Sequence, residues 1–210
     1  MDVTPSELAH REFYNLLISA VVPRPIAWVS SLSASGQPNL APFSFFNVVC
    51  ATPPLLGFSP SMRAPRAGRT TAGEPKDTLR NIRATGEFVV NMVTFELAEA
   101  MNLTSGEYDA SVDEFELAKI ESAPSQIVRP RRVAGSPVSF ECKLHQILDF
   151  NPGPDGSSLV IGEIISIHVN ERHLKDGRID RNSLDLIGRM GGMQYTRTTE
   201  RFEMVRPKVE

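Results

Sequence analysis

Short apolar segments separated by turn-forming residues are the dominant pattern along this chain. Strands are predicted at residues 26–32 (IAWVSSL), from about residue 39 onward, at residues 55–58 and at residues 87–93. Farther along, residues 140–150 alternate between apolar and polar side chains, and residues 159–169 form the longest strand candidate. The turn-forming sequence NPGPDGSS lies between these last two segments and predicts that they pair as a hairpin.

Helical spacing is confined to a few short segments. Asp77 is predicted to be the N-cap of a helix over about residues 77–85, in which Leu79 and Ile82 share one face and which ends at Gly86. Further helices are predicted within residues 96–104 and at residues 182–187. The polar residues 105–135 are interpreted as an excursion packed on the domain. The pattern therefore predicts one mainly β domain over residues 1–210, a barrel whose ends are covered by a few helices.

Composition excludes several classes of protein. The 210 residues are 41% hydrophobic and 22% charged, and the formal net charge is −3, which gives no sign of a nucleic-acid or membrane surface. No apolar run approaches the length of about 20 residues that a transmembrane helix needs. Cys50 and Cys142 are the two cysteines, so we expect no disulfide framework and a reducing cytoplasm as the location. Without CxxC or clustered histidines, no metal site is expected.

Catalytic motifs are missing from the sequence. It has no GxSxG, HExxH or P-loop pattern, and its four histidines are scattered, with His168 near the end of the longest strand candidate. The neighbouring Glu114 and Glu116 are interpreted as part of a solvated face. No residue is therefore assigned a catalytic role, and this absence suggests that a cofactor carries the chemistry.

Three segments have the residue types that a cofactor would need. PRPIAWVSS holds Arg24 between two prolines, NLAPFSFFNVVCATPP holds Ser44 and Asn47 among phenylalanines, and GEPKDTLRNI holds Lys76 directly before a helix start. A helix N-terminus with cations beside it can bind phosphate, and Arg63, Arg66 and Arg69 lie upstream. Each segment also has a simpler interpretation, since the phenylalanines could form ordinary core and the helix could be an ordinary capped surface helix.

Taken together, these segments resemble the flavin reductase-like family of FMN-binding split-barrel proteins, in particular its flavoredoxin-like branch. The resemblance is carried in colinear order by PRPIAWVSS, NLAPFSFFNVVCATPP, KDTLRNI, EFVVNMV, DEFELA, SPVSFECKL, LVIGEIISIHV and GRMGGMQYTR. It implies a Greek-key split β-barrel that binds FMN and forms a homodimer. Short flavin reductases of the family commonly have a GDH triplet before the long strand, whereas this chain has NPGPDGSS there. FMN binding is therefore better supported than oxidation of NADH or NADPH.

The resemblance also implies roles for individual residues. Those expected to line the isoalloxazine ring are Val29, Ser30, Ser31, Ser44, Phe45, Phe46 and Asn47, with Cys50 beside them. Those expected to hold the phosphate are Lys76 and Thr78, with Asn81 nearby and Arg24 or Arg63 as helpers. Tyr195 is expected near the flavin or the dimer interface.

The function implied is that of an FMN-dependent oxidoreductase. It would accept hydride at flavin N5 from NADH or NADPH and pass electrons to free flavin, another acceptor or a partner oxygenase. The main alternative is a flavoredoxin-like electron-transfer protein that another redox protein reduces. A pyridoxamine-phosphate oxidase and a non-catalytic interaction domain are the remaining alternatives. No nucleic-acid or membrane partner is expected.

Overall fold

Seven strands of this chain form one antiparallel sheet in the computed structural model, which describes residues 2–64, 72–151 and 153–209. The strands of this sheet, in chain order, are β2 (Ala27–Leu32), β3 (Pro38–Phe43), β4 (Phe46–Ala51), β5 (Pro54–Phe58), β6 (Glu87–Asn91), β9 (Val138–Asp149) and β10 (Ser158–Val169). Their spatial order is β3-β2-β6-β9-β10-β5-β4. The predicted hairpin is confirmed, since β9 and β10 pair along their whole length.

Shorter elements surround this sheet. The short strands are β1 (Arg24–Pro25), β7 (Ser122–Ala123), β8 (Arg132–Val133), β11 (Leu174–Lys175), β12 (Arg178–Ile179), β13 (Ile187–Arg189) and β14 (Tyr195–Arg197). The helices are α1 (His10–Ala20), α2 (Asp77–Thr85), α3 (Ala98–Leu103) and α4 (Glu114–Leu117), and the 3₁₀ turns are Pro5–Glu7 and Glu171–His173.

The sheet curls into an open, or split, barrel. Strands β3 and β4 stand at opposite edges of the sheet, yet only Ser44 and Phe45 separate them in the chain. The two edges must therefore approach each other at this end. Inside the curl, the rings of Phe43 and Phe58 lie 5.1 Å apart between centroids, and Phe58 meets Phe88 edge-on at 5.6 Å. The predicted mainly β split barrel, with its few covering helices, is confirmed.

Two cores lie on opposite sides of β2. The barrel interior holds Val29 with Leu79 and Ile82 of α2, so this helix packs inside the open side of the barrel. The other face of β2 presents Trp28, which packs with residues of α3 and α4 and donates its indole N–H to Thr104 Oγ1 at 2.9 Å. Burial of both faces explains why β2 appears in the sequence as a nearly continuous apolar run.

The helix predictions have mixed outcomes. The helices α2 and α3 form where they were predicted, and Gly86 ends α2 in the left-handed conformation with φ at 70°. The helix predicted at residues 182–187 is wrong. Asp180 accepts the backbone N–H of Asn182 through its side chain and that of Ser183 through its carbonyl, and this turn leads directly into β13. The helix α1 was not predicted and buries none of its side chains.

Two features are absent from the part of the chain that the structure describes. No helix there is long and apolar enough to cross a membrane. No group of three or more His, Cys, Asp and Glu side chains could hold a metal ion.

Gly162 tests the tight packing of the barrel. A Cβ at this position of β10 would lie 2.9 Å from Cε1 of the fully buried Phe88. We expect Gly162→Ala to lower the free energy of unfolding by about 1–3 kcal/mol, because overpacking forces the core apart. Denaturant titration measures the change. Glu163→Ala, at the exposed neighbouring position, is the control. Equal stabilities for the two variants would contradict tight packing between Gly162 and Phe88.

Candidate functional site

The N-terminus of α2 opens on a cavity between β3, α4 and residues 104–108. We call it the α2 cavity, and the side chains at its wall that matter most are those of Asn39, Arg63, Lys76, Thr78 and Glu114. Packing of Leu79 and Ile82 in the barrel core holds α2 with its first turn at this cavity. Residues far apart in sequence thus meet around a single helix end.

The first turn of α2 has no side-chain cap. Lys76, and not Asp77 as predicted, is the N-cap residue, and its side chain makes no capping hydrogen bond. The Asp77 carboxylate instead binds two guanidinium groups, with Arg63 Nη2 at 2.5 Å and Arg80 on its other oxygen. The N–H groups that begin a helix have no partner within the helix, so this end favours a bound anion.

Cationic groups stand beside the uncapped helix end. Arg63 is 8% exposed and is held in place by its ion pair with Asp77. Burial lowers the pKa of Lys76. The negative charge of Glu107 raises this pKa, and the positive charge of Arg63 lowers it further. The predicted cations Arg66 and Arg69 lie outside the described residues. Arg63 and Lys76 together give the cavity wall two cations.

Two buried asparagine side chains donate hydrogen bonds to hydroxyl groups near the start of α2. Asn39 Nδ2 donates to Thr78 Oγ1 at 2.9 Å, and Asn81 Nδ2 donates to Ser31 Oγ at 3.2 Å. Because Thr78 Oγ1 already accepts a hydrogen bond, its own O–H is the group it can offer to a ligand in the cavity. Asn39 was not predicted. Asn81 and Ser31 are buried behind Thr78 and do not line the cavity.

Glu114 also lines the α2 cavity, which corrects its assignment to a solvated face. It is only 7% exposed, and its Oε2 accepts the backbone N–H of Leu40 at 3.0 Å. Burial raises the pKa of this carboxyl to about 7, against the opposing effect of the Leu40 hydrogen bond, and the charges of Asp77 and Asp113 raise it further. Glu116, on the same helix, is exposed as expected.

A second depression adjoins the α2 cavity at the C-terminal end of β3. We call it the Arg24 cleft; it shares Pro42, Phe43 and Ser105 with the α2 cavity. Its other walls include residues of α1 and the side chains of Ser44, Arg24, Arg189 and Tyr195. The two depressions therefore form a continuous groove from the start of α2 to the loop between β3 and β4.

Arg24 makes hydrogen bonds that connect two segments of the chain at this groove. Its Nη1 donates to the carbonyls of Ile18 and Val21 at 2.7 and 2.6 Å, and its Nη2 donates to that of Met190 at 3.1 Å. It thereby joins the end of α1 to the loop between β13 and β14. The structure places it in the Arg24 cleft and not beside Lys76, so it does not fit the predicted role of phosphate helper.

Tyr195 lies at the rim of the Arg24 cleft. Arg189, which was not predicted, stacks on it with its guanidinium carbon 4.5 Å from the ring centroid and donates to the phenol oxygen. Both residues lie on the β13–β14 hairpin, which pairs with β1 and so reaches the groove. Both residues lie in the segment GRMGGMQYTR, but the family resemblance implied a role for Tyr195 alone, through its GG…Y pattern.

Comparison with known proteins identifies the family. The profile of the flavin reductase-like domain matches residues 19–184. The chain belongs to the flavin reductase-like family. It is 37% identical to an uncharacterized protein of Halalkalibacterium halodurans, and the match covers 100% of this chain and 98% of that relative.

Solved structures share the fold of this flavin reductase-like protein. Nitrilotriacetate monooxygenase component B from Bacillus cereus has a TM-score of 0.88 and 33% identity, covering 97% of this chain and 98% of that one. The 2-nitrobenzoate 2-nitroreductase of Pseudomonas fluorescens has a TM-score of 0.86 and 33% identity, covering 99% and 96%. A flavoredoxin of Desulfovibrio vulgaris has a TM-score of 0.69 at 21% identity, covering 88% and 91%.

The groove of this flavin reductase-like protein fits the cofactor class of its family. A flavin nucleotide combines a flat polar ring with a phosphorylated chain. The uncapped α2 N-terminus with its adjacent cations suits the phosphate, and the adjoining Arg24 cleft offers Ser44, Tyr195 and aromatic walls for a ring. The structure thus brings together Ser44, Arg63, Lys76, Thr78 and Tyr195 of the predicted site.

Other predicted site residues lie elsewhere. Val29 and Ser30 are buried in β2, and their backbones pair with β3 on one side and β6 on the other. Phe46 packs against the barrel core. Strand β4 and the loop before it carry the remaining three, Phe45, Asn47 and Cys50, at the open edge of the sheet. Cys50 is half-buried there, with its Sγ 3.2 Å from the Thr52 carbonyl oxygen.

Proposed function

We propose that this chain binds FMN with the phosphate in the α2 cavity and the isoalloxazine ring in the Arg24 cleft. The observation that carries the proposal is the uncapped N-terminus of α2, flanked by Lys76 and Arg63 within one cavity. Thr78 would add a hydroxyl donor to the phosphate. Ser44 and the backbone of the β3–β4 loop would contact the ring.

The bound FMN would make the protein an NADH- or NADPH-dependent flavin reductase. The bound flavin would supply the redox chemistry, which is transfer of hydride from a nicotinamide donor and of electrons to an acceptor. The protein's own contribution would be orientation of donor and ring in the Arg24 cleft, and exclusion of water by the walls of α1 and the β13–β14 hairpin. The absence of an acid–base motif from the sequence is consistent with this division of labour.

The electron acceptor would be a partner oxygenase, another redox protein or a small molecule. The structural neighbour named as component B of nitrilotriacetate monooxygenase supports an oxygenase partner. The neighbour named as a 2-nitrobenzoate nitroreductase makes a nitroaromatic the first small acceptor to assay. A flavoredoxin-like carrier without its own nicotinamide oxidation is the second candidate, favoured by NPGPDGSS in place of the GDH triplet before β10.

A homodimer would complete the open edge of the barrel. Val48 and Val49 on the edge strand β4 are 63% and 54% exposed, and Phe45 beside them is 42% exposed. A second copy of the chain would cover these apolar side chains and bring Asn47 and Cys50 toward the Arg24 cleft. Sedimentation of the protein at several concentrations measures its oligomeric state. A monomer that binds FMN tightly would contradict this arrangement.

Lys76→Ala tests the phosphate position. We expect it to weaken FMN binding by about one to two powers of ten, since a charge-assisted hydrogen bond contributes roughly 1.5–3 kcal/mol. Binding of riboflavin, which lacks the phosphate, should change little. Fluorescence titration of both ligands measures the two affinities. Lys143→Ala, an exposed lysine on β9, is the control, and equal losses for FMN and riboflavin would show that Lys76 does not contact the phosphate.

Anaerobic mixing with a nicotinamide donor separates the reductase from the carrier. We expect NADH or NADPH to bleach the visible absorption of the FMN-loaded protein within seconds, because the Arg24 cleft is open to a second ring. Stopped-flow absorbance follows the reaction. Bleaching by dithionite alone, with no response to either donor, would favour the flavoredoxin-like carrier.

A further inference from the structure

Glu114 is the one acidic side chain of α4 that is buried in the α2 cavity. Its Oε2 is fixed by the Leu40 N–H at 3.0 Å, and α4 packs against β3 at this point. Among the described residues, the salt bridges around the cavity join Asp77 to Arg63 and Arg80, and Asp113 to Arg131; none of them involves Glu114. A buried carboxyl without a cationic partner is costly to ionise.

The charged and titratable groups around Glu114 come from every element that borders the cavity. They are Arg63 after β5, Lys76 and Asp77 at the start of α2, Glu107 and Tyr108 after α3, and Asp113, the N-cap residue of α4. The charges that act on Glu114 directly are those of Asp77 and Asp113, and both are negative. Lys76 is influenced by Glu107 and Arg63 instead.

A phosphate in this cavity would meet Glu114 as well as the cations. A phosphate monoester carries a charge of about −1.5 to −2 near neutral pH, so an ionised Glu114 beside it would oppose binding. A protonated carboxyl would instead donate its O–H to a phosphate oxygen. The protonation state of Glu114 therefore decides whether this wall of the cavity repels or binds the phosphate.

We propose that Glu114 binds the flavin phosphate as a neutral carboxylic acid, so that loading of FMN takes up one proton from solvent wherever Glu114 is ionised in the free protein. The proton bonds to the carboxylate oxygen of Glu114 that does not accept the Leu40 N–H, and no other covalent bond changes. This proposal rests on the proposed function, because it requires the phosphate to lie in the α2 cavity. It makes Glu114 a binding residue of that site, alongside Lys76, Arg63 and Thr78.

The pH dependence follows from the shifted pKa of Glu114. With a pKa of about 7 in the free protein, the protonated fraction is about 0.9 at pH 6 and about 0.1 at pH 8. If only the protonated form accepts the phosphate, FMN affinity falls about tenfold from pH 6 to pH 8. The phosphate's own ionisation near pH 6 acts in the opposite direction. It is the same in every variant, so comparison of variants removes it.

Isothermal titration of the apoprotein at pH 7.5, in buffers of different ionisation enthalpy, measures the proton taken up with FMN. We expect an uptake of more than half a proton for FMN and near zero for riboflavin. Glu114→Gln keeps an acceptor for the Leu40 N–H and offers a permanent N–H donor. The FMN affinity of this variant should therefore not fall about tenfold between pH 6 and pH 8, and its proton uptake should vanish. Glu116→Gln, on the exposed side of α4, should behave as the unaltered protein does.

The outcomes separate this proposal from the proposed function. Equal affinities for FMN and riboflavin would overturn the phosphate site itself. Tighter binding of FMN than of riboflavin, without proton uptake in the unaltered protein, would overturn the role of Glu114 and leave the site intact. The same uptake in Glu114→Gln as in the unaltered protein would also overturn it. The comparison of FMN with riboflavin and the proton uptake of the unaltered protein need no variant. The test therefore remains even if the Glu114→Gln protein fails to fold.

Discussion

Packing of α2 inside the open barrel is the interaction on which the candidate site depends. Leu79 and Ile82 fill the barrel interior beside Val29, and this contact fixes where the first turn of the helix lies. The first turn then meets β3 and α4, which bring in Asn39 and Glu114. Removal of α2 from the barrel would separate the uncapped helix end from every other group in the cavity.

The distribution of charge around that helix end favours an anion there. Asp77 would be the natural cap by residue type, but it is bound to Arg63 and Arg80, so its carboxylate is withdrawn from the helix N–H groups. Lys76 stands at the cap position with its cation partly desolvated. The same ion pairs that hold Arg63 and Arg80 against Asp77 therefore leave the N–H groups of the helix end without a side-chain cap, as a phosphate would require.

Arg24 illustrates how a site residue can act through the fold. Its guanidinium joins α1 to the loop between β13 and β14, and both of these elements form walls of the Arg24 cleft. Tyr195 and Arg189 reach the groove only because β13 pairs with β1, the strand that carries Arg24. The family resemblance implied Arg24 or Arg63 as a helper at the phosphate. The structure assigns Arg24 to the support of the cleft.

The sequence by itself determined six of the seven strands of the large sheet, all except β4, and the helix α2 with its terminal Gly86, because these follow from local apolar periodicity and turn chemistry. The colinear motifs gave the family. The sequence also identified Lys76 and Thr78 as neighbours of a helix end. Tertiary structure decided which of the other candidates meet them. Asp77 does not cap α2 because its carboxylate binds Arg63, which lies 14 positions earlier in the chain. Glu114 is buried because α4 packs on β3. Both outcomes depend on contacts between distant segments, and neither local spacing nor residue type contains that information.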